Sequence, residues 1–219
     1  MCGIVGYLGS RDGRQIVIEG LRRLEYRGYD SAGIAVVADG ALDYRKKAGK
    51  IANLTAEIEA NPLPESGIAI GHTRWATHGA PTDENSHPHV AGRIAVVHNG
   101  IIENHSLLRA EIDAEFASET DTEVAAHLLN REVANGASLV AAMRTVVARL
   151  EGAFTLVAVD SGEPDRIVAA RRNSPLVVGI GEGEYYLASD VAAFIAHTRD
   201  AIELGQDQIV ELTRDGVNV

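Results

Sequence analysis

The only cysteine of the chain, Cys2, stands directly after Met1. Once Met1 is trimmed, that one residue carries a thiol and a free α-amine, a nucleophile beside a base of ordinary pKa about 7.7–8.0. Cys2 runs straight into the apolar stretch Gly3 to Leu8, which anchors the terminus in a strand. A thiol with an adjacent base is the general recipe for acyl transfer. The plainer alternative is an inert thiol at a chain end.

Three further groupings supply what acyl transfer needs. His98-Asn99-Gly100 offers a side-chain amide and a backbone N–H, two donors for a developing oxyanion. On spacing alone Asn99-Gly100 reads first as a type I′ hairpin turn. Gly71 to Gly79 holds Arg74 beside the only tryptophan, Trp75. An arginine next to a large ring can clamp a carboxylate, and the flanking glycines favour a closing lid. Ser118 to Glu123 is rich in carboxylates, which at a helix start read as caps; one of them, instead, could bind an ammonium. Six of the eight histidines lie between His72 and His105, inviting a metal hypothesis with Asp83 and Glu84 nearby. There is no HExxH and no repeated Cys/His spacing, so polar turn residues are the better reading.

The elements that must position these residues follow from periodicity and turn chemistry. Strands are expected at Gly3–Leu8, Gly33–Ala38, Ala41–Lys47, Ile68–His72 and Arg93–His98. Asp39-Gly40 marks a hairpin between the second and third. Thr73 to Gly92 reads as one long ordered loop. Helices are expected at 13–25, 52–60, 104–113, 121–134 and 138–150, with Thr120 to Glu123 supplying N-cap chemistry for the fourth. From Ala153 on, strands recur at 154–159, 166–170, 176–180, 185–188, 208–212 and 217–219, with a helical turn or two at 191–196. Strands and helices mix early, helices fill the middle and strands the end. That order gives an α+β domain with antiparallel sheets covered by helices, over one domain of residues 1–219.

Bulk properties bound the function class. A chain of 219 residues that is 46% apolar builds a globular domain with a sizeable interior. A net charge of −11 without a basic stripe argues against nucleic acid or an anionic membrane as the main partner. One cysteine excludes an internal disulfide framework, and neither a secretory signal nor a membrane-spanning run is visible, so a cytoplasmic soluble protein is expected.

Taken together, the segments Cys2 to Gly6, Tyr26 to Gly33, His72 to Gly79, His98 to Asn104 and Glu119 to Glu123 resemble the class II, N-terminal-cysteine glutamine amidotransferases. The forms around Tyr26 and His72 are similar to the glutaminase half of the glucosamine-6-phosphate synthase branch. The resemblance implies an N-terminal nucleophile hydrolase fold, a four-layer αββα sandwich of two antiparallel sheets. It implies that Cys2 attacks the side-chain amide of glutamine, with Asn99 and Gly100 as oxyanion hole and Arg27 supporting the nucleophile. Arg74, with Thr77 and His78 beside it, would hold the α-carboxylate; Asp121 would hold the α-ammonium; Trp75 would belong to the closing loop. No cofactor and no metal are implied. The family partner of such a domain is a fructose-6-phosphate isomerase/synthase half, which these residues do not include, so an isolated glutaminase domain is expected. The readings set against it are a non-catalytic glutamine-binding or regulatory module and a metallohydrolase built on the histidines.

Overall fold

The computed structural model describes residues 2–27, 30–75 and 79–219. In chain order the elements are β1 (Gly3–Leu8), α1 (Gly13–Arg23), β2 (Ser31–Ala38), β3 (Ala41–Ala48), α2 (Ile51–Ala60), β4 (Ile68–Arg74), β5 (His89–Ala91) and β6 (Ile94–Ile102). There follow α3 (His105–Ala110), α4 (Thr122–Ala134), α5 (Leu139–Val147), β7 (Gly152–Asp160), β8 (Arg166–Arg172), β9 (Val177–Ile180), β10 (Tyr185–Ala188), β11 (Ala201–Glu203), β12 (Ile209–Thr213) and β13 (Gly216–Asn218). Short 3₁₀ turns lie at Glu25–Arg27 and Val191–Ala193.

Among the described residues the strands form two sheets with every pairing antiparallel, ordered β11-β9-β10-β1-β4-β2-β3 and β13-β12-β8-β7-β6-β5. The period-two alternation of the strands sorts their side chains into three apolar layers. Ile4 and Leu8 of β1, Ile68 and Ile70 of β4, and Ala95 and Val97 of β6 fill the space between the sheets. Val5 and Tyr7 face the other way, onto Ile16, Val17 and Leu21 of α1 and Leu54 of α2. Ile94 and Val96 face Val124, Leu128 and Leu129 of α4 and Met143 of α5. The result is the expected αββα sandwich. No helix among the described residues is long and apolar enough to cross a membrane.

The same alternation decides where chemistry can sit. Continue each inward-facing row by one or two steps: Ile4 leads to Cys2, Ile70 to His72 and Arg74, and Val97 to Asn99. At this end of the sandwich the apolar filling gives way to polar side chains. β1 runs between β10 and β4; Gly3 pairs with Thr73 of β4, and the pairing with β10 begins at Val5.

Several expectations hold residue for residue. β1 falls on its apolar run and β10 between its turn signals, and Asp39 and Gly40, at φ 51 and 73, close the β2–β3 hairpin. Others need correction. Asn99-Gly100 is not a turn: β6 continues through both to Ile102 and stays paired with β7. The stretch 73–92 is not one loop, because β4 extends to Arg74 and β5 pairs with β6. Asp121 stands at the N-cap of α4 but makes no side-chain cap bond.

Three of the clustered histidines are strand residues and not turn residues: His72 lies in β4, His89 in β5 and His98 in β6. His72, His87, His89 and His98 are all buried, and His87 packs on His72 and His89 with ring centroids 4.1 and 4.8 Å away. Burial pushes His72 down to about 3 and drives His87 and His89 well below the usual histidine range. The rings' mutual repulsion acts in the same direction, as do Arg74 and, on His89, Lys46; Glu123 opposes them at His89.

Two predictions arise here. The folded pKa values of these histidines lie below the unfolded value of about 6.5, so below that pH the unfolded chain binds more protons. Their contribution to stability is therefore complete above about pH 6.5 and is lost as pH falls toward the folded values. Urea unfolding between about pH 7 and pH 4 should show a falling midpoint with uptake of more than one proton; a flat profile would contradict the buried neutral cluster. The second concerns Gly33 of β2, where a Cβ would collide with the His87 carbonyl oxygen. Gly33→Ala must push away the segment that carries His87, at a cost of about 1–3 kcal/mol in denaturant unfolding.

Candidate active site

β1 delivers Cys2 to the polar end of the sandwich with little freedom. The Gly3 N–H donates to Thr73 Oγ1 at 3.1 Å, and the Ile4 N–H donates to Ser189 Oγ at 3.0 Å. Ser189 N–H returns a bond to the Ile4 carbonyl at 3.1 Å. A Cβ on Gly3 would lie 2.6 Å from Thr73 Oγ1, so close approach of β1 and β4 requires glycine there. The Cys2 sulfur accepts the Trp75 N–H at 3.1 Å and lies 3.6 Å from the Trp75 carbonyl. Burial raises the thiol pKa; the Trp75 amide opposes this only in part. The thiol is thus held protonated at neutral pH and needs a base at the moment of attack.

Asn99 reaches across from the other sheet. Its Nδ2–H donates to the Cys2 carbonyl at 3.1 Å, and its Oδ1 lies 2.8 Å from His72 Nε2. Gly100 follows at φ 127, and a Cβ there would collide with the Ala153 carbonyl of the paired strand. Only glycine sustains this backbone within the ladder.

The charged groups converge on the same place. Arg74, at the end of β4, donates through Nη1 to the Ala80 carbonyl and through Nη2 to the Gly79 carbonyl, each at 3.2 Å. Arg27 pairs through Nη1 with Asp190 Oδ2 at 3.1 Å and reaches the Ser189 carbonyl at 3.3 Å, bracing the segment that holds Ile4. Asp121 accepts the Ile102 N–H at Oδ2, 2.8 Å away, while its Oδ1 lies 3.4 Å from Thr122 Oγ1 and 4.0 Å from His98 Nδ1. Its neighbour Glu123 has a different task, accepting the Ala117 and Ser118 N–H groups and the Ser118 hydroxyl. Although burial opposes ionisation of Glu123, bonds from His127, Ser118 and Ala117 prevail and bring its carboxyl to about 2.

A cavity of about 410 Å³ joins these groups. Cys2, Arg27, Arg74, Trp75, Asn99, Gly100 and Asp121 all line it, with Asn173 to Pro175 forming part of the wall. Trp75 is 57% exposed at its edge, as suits a lid residue and not an interior one. Thr77 and His78 lie outside the described residues. Sequence reasoning missed His72 as a partner of Asn99, and it missed Ser189 and the 173–175 wall. The histidine number was the available signal for His72; nothing local marks the other two. Among the described residues no three His, Cys, Asp or Glu side chains are arranged to hold a metal. The histidines instead contact Asn99, Thr120 and Thr122. A thiol, amide donors, cations and a carboxylate around one cavity suit a zwitterionic substrate carrying a carbonyl group.

Comparison with known proteins agrees with this geometry. A family model described as a glutamine amidotransferase domain matches residues 72–196, taking in Arg74, Asn99, Gly100 and Asp121. The glutamine–fructose-6-phosphate aminotransferase (isomerizing) of Streptomyces coelicolor is 66% identical over 224 residues, covering all of this chain and 36% of that protein. Its counterpart from Corynebacterium glutamicum is 61% identical over 229 residues, covering 98% of this chain and 37% of that one. The chain thus spans little more than a third of the length of the curated relatives it matches. Among solved structures, the glutamine phosphoribosylpyrophosphate amidotransferase from B. subtilis superposes with a TM-score of 0.85 at 27% identity, covering 99% of this chain and 48% of that chain. A glutamine aminotransferase class-II domain protein from Silicibacter pomeroyi, at 18% identity and a TM-score of 0.67, shares the fold over 99% of this chain and 97% of its own. The fold is the N-terminal nucleophile hydrolase sandwich, and the chain belongs to the glutamine amidotransferase domain family.

Proposed function

We propose that this domain hydrolyses the side-chain amide of glutamine to glutamate and ammonia through a thioester at Cys2. The reading includes its place as the ammonia-supplying half of glucosamine 6-phosphate synthesis, with a fructose-6-phosphate isomerase/synthase half as partner. One observation carries it above the others: Cys2, the Asn99 amide and the Arg74 and Asp121 charges, drawn from both sheets and the start of α4, line one cavity. The relatives that match the whole chain support the sugar-phosphate branch.

The chemistry runs as follows. Arg74 holds the α-carboxylate of glutamine and Asp121 its α-ammonium, which fixes the amide carbon beside Cys2. The sulfur attacks that carbon as its proton passes to the α-amine of Cys2, free once Met1 is removed. Charge gathers on the amide oxygen, where the Asn99 Nδ2–H group and the Gly100 N–H receive it. The α-amine returns the proton to the departing nitrogen; the C–N bond breaks, ammonia leaves and a γ-glutamyl thioester remains. Water then attacks, its proton taken by the same amine, and glutamate departs as the thiol re-forms. Trp75 covers the site and keeps water out until ammonia has gone. Arg27 steadies the strand end that presents the sulfur. A retained Met1 would turn the base into an amide and silence the reaction.

Intact mass gives the first test: loss of one methionine, then one adduct at Cys2 from a glutamine-like electrophile. Cys2→Ala should abolish ammonia release yet leave glutamine binding by calorimetry in place; full activity in this variant would remove the nucleophile from the scheme. Arg74→Ala deletes charge-assisted hydrogen bonds of about 1.5–3 kcal/mol, so KM for glutamine should rise roughly 10- to 100-fold in steady-state assays. An unchanged KM would contradict the carboxylate clamp.

A further inference from the structure

The Asn99 carboxamide is nearly symmetric in shape, so packing alone does not choose between its two flips. Its neighbours do. The Cys2 carbonyl, 3.1 Å away, is an acceptor only, so the NH₂ end of Asn99 must face it. The opposite end, Oδ1, then lies 2.8 Å from His72 Nε2 and requires a donor there. His72 must therefore carry its proton on Nε2; the other tautomer would set two lone pairs against each other. The ring is fully buried, and burial keeps it neutral. A neutral imidazole has one N–H, which this bond uses. The remaining atom, Nδ1, makes no well-aligned hydrogen bond among the described residues; burial outweighs the His98 backbone near the ring, which favours its protonated form. His87 Nδ1, 3.2 Å from His72 Nε2, then presents its lone pair to the same proton, with its ring packed against His72.

We infer that His72 is a positioning residue for the reaction: through its Nε2–H it locks the Asn99 amide in the one flip that turns Nδ2 toward Cys2 and the cavity. The inference rests on the glutaminase reading for its catalytic consequence. His72 and Asn99 sit on different sheets, both facing the layer between them, so the bond spans the sandwich at its polar end. An apolar residue at 72 would fill the space, leave Oδ1 without its donor and leave the Cys2 carbonyl as the one remaining restraint on the flip. Glutamine at 72 would place an amide N–H near the Nε2 position and keep the lock.

Glutamine hydrolysis by the chain is compared in wild type, His72→Leu, His72→Gln and Asn99→Ala, and in Asn99→Ala with His72→Leu. Alkylation of Cys2 by iodoacetamide is followed alongside. That displacement at a saturated carbon develops no oxyanion, so it reads the nucleophile alone. His72→Leu should lower kcat about 10²-fold, the scale of losing one oxyanion donor, with KM and alkylation within about threefold of wild type. His72→Gln should recover kcat to within about tenfold, and on the Asn99→Ala background His72→Leu should cost less than about threefold more. Long-range ¹H–¹⁵N spectra of the wild-type chain should show His72 neutral and protonated at Nε2, a measurement that does not depend on any variant folding. Protonation at Nδ1, near-normal kcat in His72→Leu, His72→Gln no better than His72→Leu, a loss of alkylation matching the loss of kcat, or additive losses with Asn99→Ala would each overturn the positioning role. A wild-type chain with Met1 removed that releases no ammonia would instead overturn the glutaminase reading, and the catalytic role of His72 with it.

Discussion

Asn99 and Cys2 belong to different sheets, and a hydrogen bond of 3.1 Å ties one to the other. Everything the site does depends on that crossing. The nucleophile comes from β1, in the middle of one sheet; the amide comes from β6, next to the edge strand of the other. Their separation is set by the apolar layer between the sheets, where Ile4, Ile70, Ala95 and Val97 are fully buried and close packing resists a shift. The catalytic spacing is thus a packing property of the whole sandwich. Gly3 and Gly33 serve the same end, one letting β1 approach β4 and the other letting the His87 segment lie against β2.

Electrostatics divides the labour among similar groups. Glu123 and Asp121 are two residues apart, yet the first is consumed by the backbone of 117–118 while the second keeps one oxygen turned toward His98 and Thr122. The histidines, neutral through burial, add polar atoms to the site without adding charge. Positive charge at the cavity is left to Arg27 and Arg74.

How much of this was legible in the sequence depended on whether the signal was local. A continuous apolar run placed β1 and turn signals placed β10 correctly, and Asp39-Gly40 gave the hairpin, because two residues with positive φ decide that turn by themselves. Asn99-Gly100 carried the same local signature and misled. Its glycine also has positive φ, but β7 pairs across it through Phe154 and holds it inside the ladder. The three-residue strands β5 and β11 had no periodicity to read; their partners make them strands. Cys2, Arg74 and Asn99 were legible from their own chemistry and the ammonium role of Asp121 from resemblance, whereas the capping reading of Asp121 failed for a tertiary reason: the Ile102 amide occupies its carboxylate. Histidine burial was hidden altogether, since nothing in His87-Pro88-His89 says that a second sheet closes over it.

The raised pKa of the Cys2 thiol also bears on oxidative damage. Peroxides attack thiolates, and a thiol kept protonated by burial offers few of them at rest. The protection matters because Cys2 is the sole cysteine of these 219 residues. A sulfenic acid formed there would find no resolving thiol among these 219 residues.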